Sequence, residues 1–396
     1  MRFENVVIPL SAAWSSPFVR WQGATADLNS LELAEQVARR ALAQHDVEWP
    51  VRELVLGLTI PQRESFYGAP TLAARLGFSG VSGPMIAQAC ATSVACIHAA
   101  AGAQAASGRG ARLVITTDRT SNGPHIVYPR TNAPGGTAES ENWVLDSFER
   151  DPVTGESMLA TAERVAAEGA FSKEQLDAIT VRRYEQYEDA LASERAFQRR
   201  WMVPISVGSG RRAVEIDSDQ GVRPVSAEGL AGLSAVRPDG VVSYGSQTHP
   251  ADGTAGLIVT TRAQARELGV EGPFARVLAS GFARVAPGTM PKAPVPAAHA
   301  ALSEAGIDDV RAVDIVKTHN PFAVNDLWFA AQTGIDAEAM NPYGCSLIYG
   351  HPQGPTGMRG VIELMHALAE RGGGRGLFTG CAAGDSGAAL VIELDG

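Results

Sequence analysis

The sequence predicts an α/β fold of two similar halves, with a less regular excursion inserted in the first. Three observations carry this. Strand-like apolar runs alternate with helix-like runs, which implies mostly parallel sheets with covered faces. One order of elements occurs twice along the 396 residues. Residues 119–242 break the pattern, being richer in charge, aromatic residues and turn signals.

Taken in order, Val6-Val7-Ile8-Pro9-Leu10 reads as a first strand. Leu31, Ala34, Val37, Ala38, Ala41 and Leu42 recur at helical spacing. Residues 53–58 read as a buried strand. The small, apolar run before Cys90 reads as a buried approach to a turn. Residues 91–108 read as an Ala-rich helix with almost no charge, which suits the centre of a protein. Residues 113–118 form the next strand.

Within the excursion, 151–169 and 173–194 read as exposed helices. Arg182-Arg183, Arg199-Arg200 and Arg211-Arg212 concentrate positive charge there. The sheet pattern returns at 256–261, with a short helix to Gly269. Residues 297–307 then match 37–47, and 310–316 match 51–56. Further on, 356–369 and 376–379 match the Cys90 helix and its following strand, and 388–394 form a last strand. The division read is 1–118 with 243–264 as the first half, 119–242 as an insert, and 265–396 as the second half.

Composition narrows the function classes. A net charge of −10 argues against a nucleic-acid surface. The four cysteines, Cys90, Cys96, Cys345 and Cys381, show no Cys-x-x-Cys pair. No zinc site or disulfide framework is expected, and the setting is read as reducing and cytoplasmic. The N-terminus lacks the charge and apolar pattern of a signal peptide. Residues 85–106 are mostly apolar but rest on Ala and carry Gln88, His98 and Gln104, so a core helix is expected rather than a membrane span.

Chemistry concentrates in four stretches. Gln88-Ala89-Cys90-Ala91-Thr92-Ser93 places a cysteine where a buried helix begins, where the dipole would favour thiolate. Most free cysteines are only small buried hydrophobes, so this stretch alone decides nothing. The second half adds Lys317-Thr318-His319-Asn320-Pro321-Phe322 at a strand end, and Gly350-His351-Pro352-Gln353-Gly354. Its third stretch is Thr379-Gly380-Cys381-Ala382-Ala383-Gly384-Asp385-Ser386-Gly387. Strand ends and Gly-rich turns carry catalytic groups in α/β folds, and two cysteines with a histidine suit nucleophilic acyl chemistry.

Together these stretches resemble the thiolase family, over nearly the whole chain. Cys90 stands where that family has its acylated cysteine, Gly350-His351-Pro352 matches its Gly-His-Pro motif, and Cys381 to Gly387 matches its C-terminal cysteine motif. The chain departs from the family at several points. Ala91-Thr92-Ser93 replaces Gly-Ser-Gly, and Ser157-Met158 replaces His-Met. Ala383 replaces a glycine. His319-Asn320-Pro321-Phe322 replaces Asn-Glu-Ala-Phe, and His319 is similar to the sterol-carrier-protein-2 type of thiolase and to ketoacyl synthases.

The resemblance implies a duplicated five-layer α-β-α-β-α fold, with an inserted loop domain that holds coenzyme A. It implies a homodimer or tetramer and leaves room for a small accessory subunit. The substrates are acyl-CoA and CoA, with no permanently bound cofactor and no metal. The expected reaction is thiolytic cleavage of a 3-oxoacyl-CoA, or its reverse Claisen condensation. Cys90 would be the nucleophile, His351 its base, and Cys381 the acid/base at the substrate carbon. His319 would join His351 in holding the enolate, and the N–H groups of Cys90 and Ala383 the thioester oxyanion. Ser157, Met158 and Thr248 would shape the coenzyme A and acyl pocket. Cys96 and Cys345 read as packing, with Cys345 close enough to Gly350 for a pocket-lining role. Two other readings are weighed. A ketoacyl-synthase-like or retro-aldol enzyme on this fold would lack Cys381, and a non-catalytic subunit would have lost the nucleophile.

Overall fold

The computed structural model describes every residue except His45, Asp46, Ala133 and Gly396, and not the side chain of Arg211. His45 and Asp46, inside the 37–47 match, therefore lie outside the described residues.

Two mixed sheets organise the chain. The first runs in the order Ala13–Ser15, Ala251–Val259, Ala111–Arg119, Val51–Gly57, Met85–Ile86. The second runs Val7–Pro9, Phe274–Arg284, Ser386–Leu394, Gly374–Ala382, Ile315–His319. Each holds the same motif. Val51–Gly57 lies parallel to Ala111–Arg119, which pairs antiparallel with Ala251–Val259. Ile315–His319 lies parallel to Gly374–Ala382, which pairs antiparallel with Ser386–Leu394.

Helices fill the layers around the sheets. Ser30–Ala43 covers the outer face of the first sheet and Pro294–Ala305 that of the second. Thr92–Ser107 and Gly354–Glu370 lie between the sheets and against each other. Five layers, α-β-α-β-α, result. The central position explains the uncharged Ala-rich sequence of Thr92–Ser107, since a helix with neighbours all round has no wet face for charge. Glycine permits the close approach. A Cβ on Gly357 would sit 3.0 Å from Cβ of Ser93, and one on Gly360 2.5 Å from the Phe378 ring. The Thr92–Ser107 helix ends at Gly108, whose φ of 61° returns its N–H to the Gln104 carbonyl.

Several elements differ from the sequence reading. Phe274–Arg284, to which the sequence reading assigns no element, is a long strand between the first strand and the central Ser386–Leu394 of the second sheet. The first strand pairs with it, across the halves, and meets its own half through the backbone bonds between Val7 and Thr260. The run before Cys90 is not buried. Met85 is 37% exposed, because Met85–Ile86 is a two-residue edge strand with one neighbour. The helix expected over 151–169 is Met158–Glu168, since Asp151 folds the preceding residues into a turn by accepting from Val153 and Thr154 N–H. Lys173–Arg195 is not an exposed helix but buries Leu176, Ile179, Arg183 and Tyr187. The strand expected at 310–316 begins only at Ile315, after a 3-10 turn capped by Asp309. No helix among the described residues is long and apolar enough to cross a membrane.

Candidate active site

Three turns and a strand end converge between the halves. Cys90 lies in the turn between Met85–Ile86 and Thr92–Ser107. That turn needs Ala89 at φ 43°. Thr92 holds it there, donating its hydroxyl to the Ala89 carbonyl (2.7 Å) and accepting from Gln88 N–H (2.8 Å). Ser93 donates to the Gly354 carbonyl and joins the Thr92–Ser107 helix to the turn that carries His351. The Thr92-Ser93 departure from the family pattern is therefore structural glue. His319 is the last residue of Ile315–His319, and its register partner Gly380 directly precedes Cys381. Cys381 is not in a turn but is the penultimate residue of Gly374–Ala382, and Ala383 opens the turn that follows. Asp385 pins that turn by accepting from Gly288 and Thr289 N–H, both at 2.9 Å.

Cys90 Sγ lies 3.2 Å from His351 Nε2. His351 Nδ1 is 2.6 Å from Thr356 Oγ1, which fixes the ring. The amide N–H groups of Ala383 and of Cys90 itself point at Sγ. His319 stacks on His351 with centroids 4.2 Å apart and planes at 29°. Its Nδ1 meets Ser346 Oγ at 2.9 Å, while its buried Nε2 has no partner among the described residues. Cys381 Sγ accepts from Asn325 Nδ2 at 3.2 Å.

Burial sets the protonation states. It pushes the Cys90 thiol up to about 12 and holds the His351 imidazole down at about 3. The resting pair is therefore neutral thiol and neutral imidazole. The expectation that a helix dipole makes Cys90 a resting thiolate is corrected. Cys90 lies two residues ahead of the helix, and desolvation outweighs the two N–H groups that favour thiolate. Cys381 is pushed well above the ordinary thiol value by burial and the nearby Cys90, and His319 is held well below the ordinary histidine value. Asp118 is raised to about 7 by burial, although it accepts from Thr59, Ile60 and Gly354 N–H.

A cavity of about 1440 Å³ opens above this cluster. Cys90, His351, Ala383, Ser157, Met158 and Thr248 all line it, whereas His319 and Cys381 do not. Ser157 also caps the Met158–Glu168 helix, and Thr248 donates its hydroxyl to the Ser346 carbonyl at 2.5 Å. Residues 148, 149, 157–159, 220–223, 225, 236 and 237 of the insert form much of the wall. Four of the paired arginines singled out in the sequence, Arg182, Arg183, Arg199 and Arg200, are spent elsewhere. Arg183 is buried against Asp326 at 2.8 Å, Arg199 pairs with Glu194 and Arg200 with Glu370. The cationic side chains on the wall are instead Arg20, Arg223 and Arg237. Cys96 packs in the core. Cys345 is buried and accepts from Asn320 Nδ2 at 3.2 Å, and it does not line the cavity.

Sequence reasoning missed Asn325, Thr356, Ser346, Gln353 and Asp118. Only Gln353 and Thr356 carried a signal, by proximity to the Gly-His-Pro turn. One atom each of Cys90, His319 and His351 lies within 4.8 Å of the others. The two imidazoles lie nearly face to face, so their planes do not converge on one ion as two metal-bound rings must.

The layered fold, with a cysteine, a neutral histidine and aimed backbone N–H groups, is that of an acyl-transferring enzyme with a cysteine nucleophile. The chain belongs to the thiolase family: residues 7–263 match the description "Thiolase, N-terminal domain" and residues 272–394 "Thiolase, C-terminal domain". It is 28% identical to an acetyl-CoA acetyltransferase of Pseudomonas aeruginosa, over 99% of this chain and 100% of that one. It is also 28% identical to a beta-ketoadipyl-CoA thiolase of Escherichia coli, over 96% and 97%. Its fold matches the crystal structure of the Bacillus anthracis acetyl-CoA acetyltransferase with a TM-score of 0.89, at 28% identity and 99% coverage of both chains.

Proposed function

We propose that this enzyme cleaves a 3-oxoacyl-CoA with CoA, or runs the reverse condensation, through an acyl group on Cys90. The observation that carries the reading is the 3.2 Å contact of Cys90 Sγ with the neutral His351 Nε2, in a cavity that also receives the Ala383 N–H.

In the condensing direction, the Cys90 S–H proton passes to His351 Nε2, whose Nδ1–H is held by Thr356. The thiolate attacks the thioester carbonyl, and the N–H groups of Cys90 and Ala383 receive the oxyanion. The CoA thiolate leaves with the proton of Cys381, which becomes the thiolate. Cys381 then takes a proton from C2 of the second acyl-CoA. His319 Nε2, unpartnered among the described residues, offers the enolate oxygen a hydrogen in the tautomer in which Ser346 turns its hydroxyl from Asn320 Oδ1 to His319 Nδ1. The enolate attacks the acyl carbonyl, Cys90 departs as thiolate, and His351 returns its proton. Protons balance, and thiolysis is the reverse.

Coenzyme A fits the large cavity walled by the insert. Arg20, Arg223 and Arg237 make no ion pair among the described residues and are available to its phosphates. The edge strand Met85–Ile86, with Phe66 95% and Tyr67 67% exposed next to Gly68, whose N–H meets Met85 Sδ at 3.0 Å, supports a homodimer through that face. Four free cysteines agree with a reducing, cytoplasmic setting.

Intact-protein mass spectrometry after mixing with acetyl-CoA tests the reading. One acetyl group is expected, absent in Cys90→Ala. No adduct from acetyl-CoA or any 3-oxoacyl-CoA would overturn it.

A further inference from the structure

Gln353 stands at the nucleophile and has no part in the reaction described above. Its side chain is 8% exposed, on the cavity wall. Cys90 Sγ donates toward its Oε1 at 3.4 Å, beside the 3.2 Å contact to His351. The same side chain hydrogen-bonds His351 and favours the charged form of that ring.

The backbone is committed to this placement. Gln353 has φ 63° and ψ −105°, which a residue with a Cβ rarely adopts. Its neighbours hold it there. Gly354 N–H donates to Asp118 at 2.8 Å, the Gly354 carbonyl receives the Ser93 hydroxyl, and Thr356 N–H returns to the Gln353 carbonyl at 3.2 Å. Strain persists where surroundings over-determine it, and here it aims an amide at the reacting sulfur.

We propose that Gln353 is a positioning residue whose Oε1 steadies the proton that Cys90 hands to His351. The S–H bond breaks and the N–H bond forms, with no other reactant. Before transfer Oε1 aligns the thiol hydrogen. Afterwards it shares the Nε2–H of the imidazolium with the thiolate. The other titratable groups around the pair are Asp118, His249, His319 and Cys381. Asp118 and Cys381 are held neutral-leaning by burial, and neither histidine is driven toward its charged form. A neutral amide oxygen is therefore the acceptor that supports an imidazolium here without placing a full charge against the thiolate.

The inference rests on Cys90 as the acylated group, but its test does not need an acyl-CoA. Iodoacetamide reads thiolate formation directly. In Gln353→Met, which keeps length and volume, alkylation of Cys90 at pH 7 is expected to fall at least tenfold. The rate should recover only at alkaline pH, as the thiol ionises without its base. A thermal melt on the variant controls for folding, and the shape of the pH profile is unaffected by simple loss of stability. Parent-like rate and pH profile in Gln353→Met would overturn the proposal. A parent with no acylation by acyl-CoA but normal alkylation would count against the thiolase reading and not against this one.

Discussion

Arg359 grips Asp219 with two parallel N–H···O contacts of 2.6 and 2.8 Å, both side chains fully buried. Arg359 lies on the helix that follows the His351 turn, and Asp219 directly precedes the 220–223 wall of the cavity. The pair thus fastens the 220–223 wall to the helix behind the His351 turn. Around it, Arg359 Nε meets Glu363 at 2.9 Å, and Glu363 receives Lys317 at 2.7 Å and the Tyr349 hydroxyl at 3.1 Å. The guanidinium lies 3.7 Å over the Tyr349 ring. Removing one partner strands a buried carboxylate. Arg359→Met is therefore expected to cost about 3–5 kcal/mol in denaturant unfolding. Arg359→Met with Asp219→Asn should recover part of that loss. Equal stability of the single variant and the parent would show that the pair carries no weight.

Cys90 and Cys381 should fail differently. Cys90→Ala should lose both the acyl-enzyme and turnover. Cys381→Ser should still accept an acyl group yet lose condensation, since a serine hydroxyl is too weak an acid/base at neutral pH. Deuterium exchange at C2 of acetyl-CoA should vanish with it. Acylation of the Cys90 variant and not of the Cys381 variant would reverse the two roles.

His319 lies behind the cavity lining, stacked on His351, with an unpartnered Nε2 among the described residues and a ring nitrogen within 4.8 Å of Cys90 Sγ. His319→Phe keeps the stacking and removes the donor. Acylation should survive within a fewfold, while condensation and cleavage fall roughly 100-fold or more. Equal loss in both half-reactions would place His319 in nucleophile activation instead.

Acid should unfold the enzyme through its buried histidines. His351 is held at about 3, His366 at about 4 and His319 well below 6.5, all by desolvation. Their folded values lie below the unfolded one, so the unfolded chain binds more protons as pH drops through 6.5. Each histidine then costs on the order of 2 kcal/mol between pH 6.5 and 5. Asp118, raised to about 7, acts oppositely: the stability it contributes is present at low pH and lost as pH rises from about 4 to 7. Three histidines outweigh one carboxyl, so denaturant midpoints should fall as pH drops from 6.5 to 5. A flat profile over that window would contradict the buried, neutral state of these rings.

Much of the frame was legible in the linear chain. Strand and helix periodicity, the uncharged Ala-rich run before Gly108 and the recurrence of one element order show in the two matching sheets. Those signals are local: they depend on neighbours in sequence and on which faces meet water. The Cys90, His351 and Cys381 stretches were equally visible, because a reactive side chain in a turn motif is written in consecutive residues.

What the sequence determined by itself was the layer pattern, the repeat and the chemical identity of the cysteines and histidines. What only the tertiary structure decided was their state and their company. Cys90 is a protonated thiol beside a neutral imidazole because both are desolvated, and burial is a property of the packed molecule. Asn325 reaches Cys381 from 56 positions away, and Asp118 reaches Gly354 from 236. Arg183, Arg199 and Arg200, which stand out in sequence, serve the core and surface, while Arg20, Arg223 and Arg237, isolated along the chain, meet at one cavity. Partners so distant are chosen by how two sheets and two central helices close on one another, and no local pattern records that geometry.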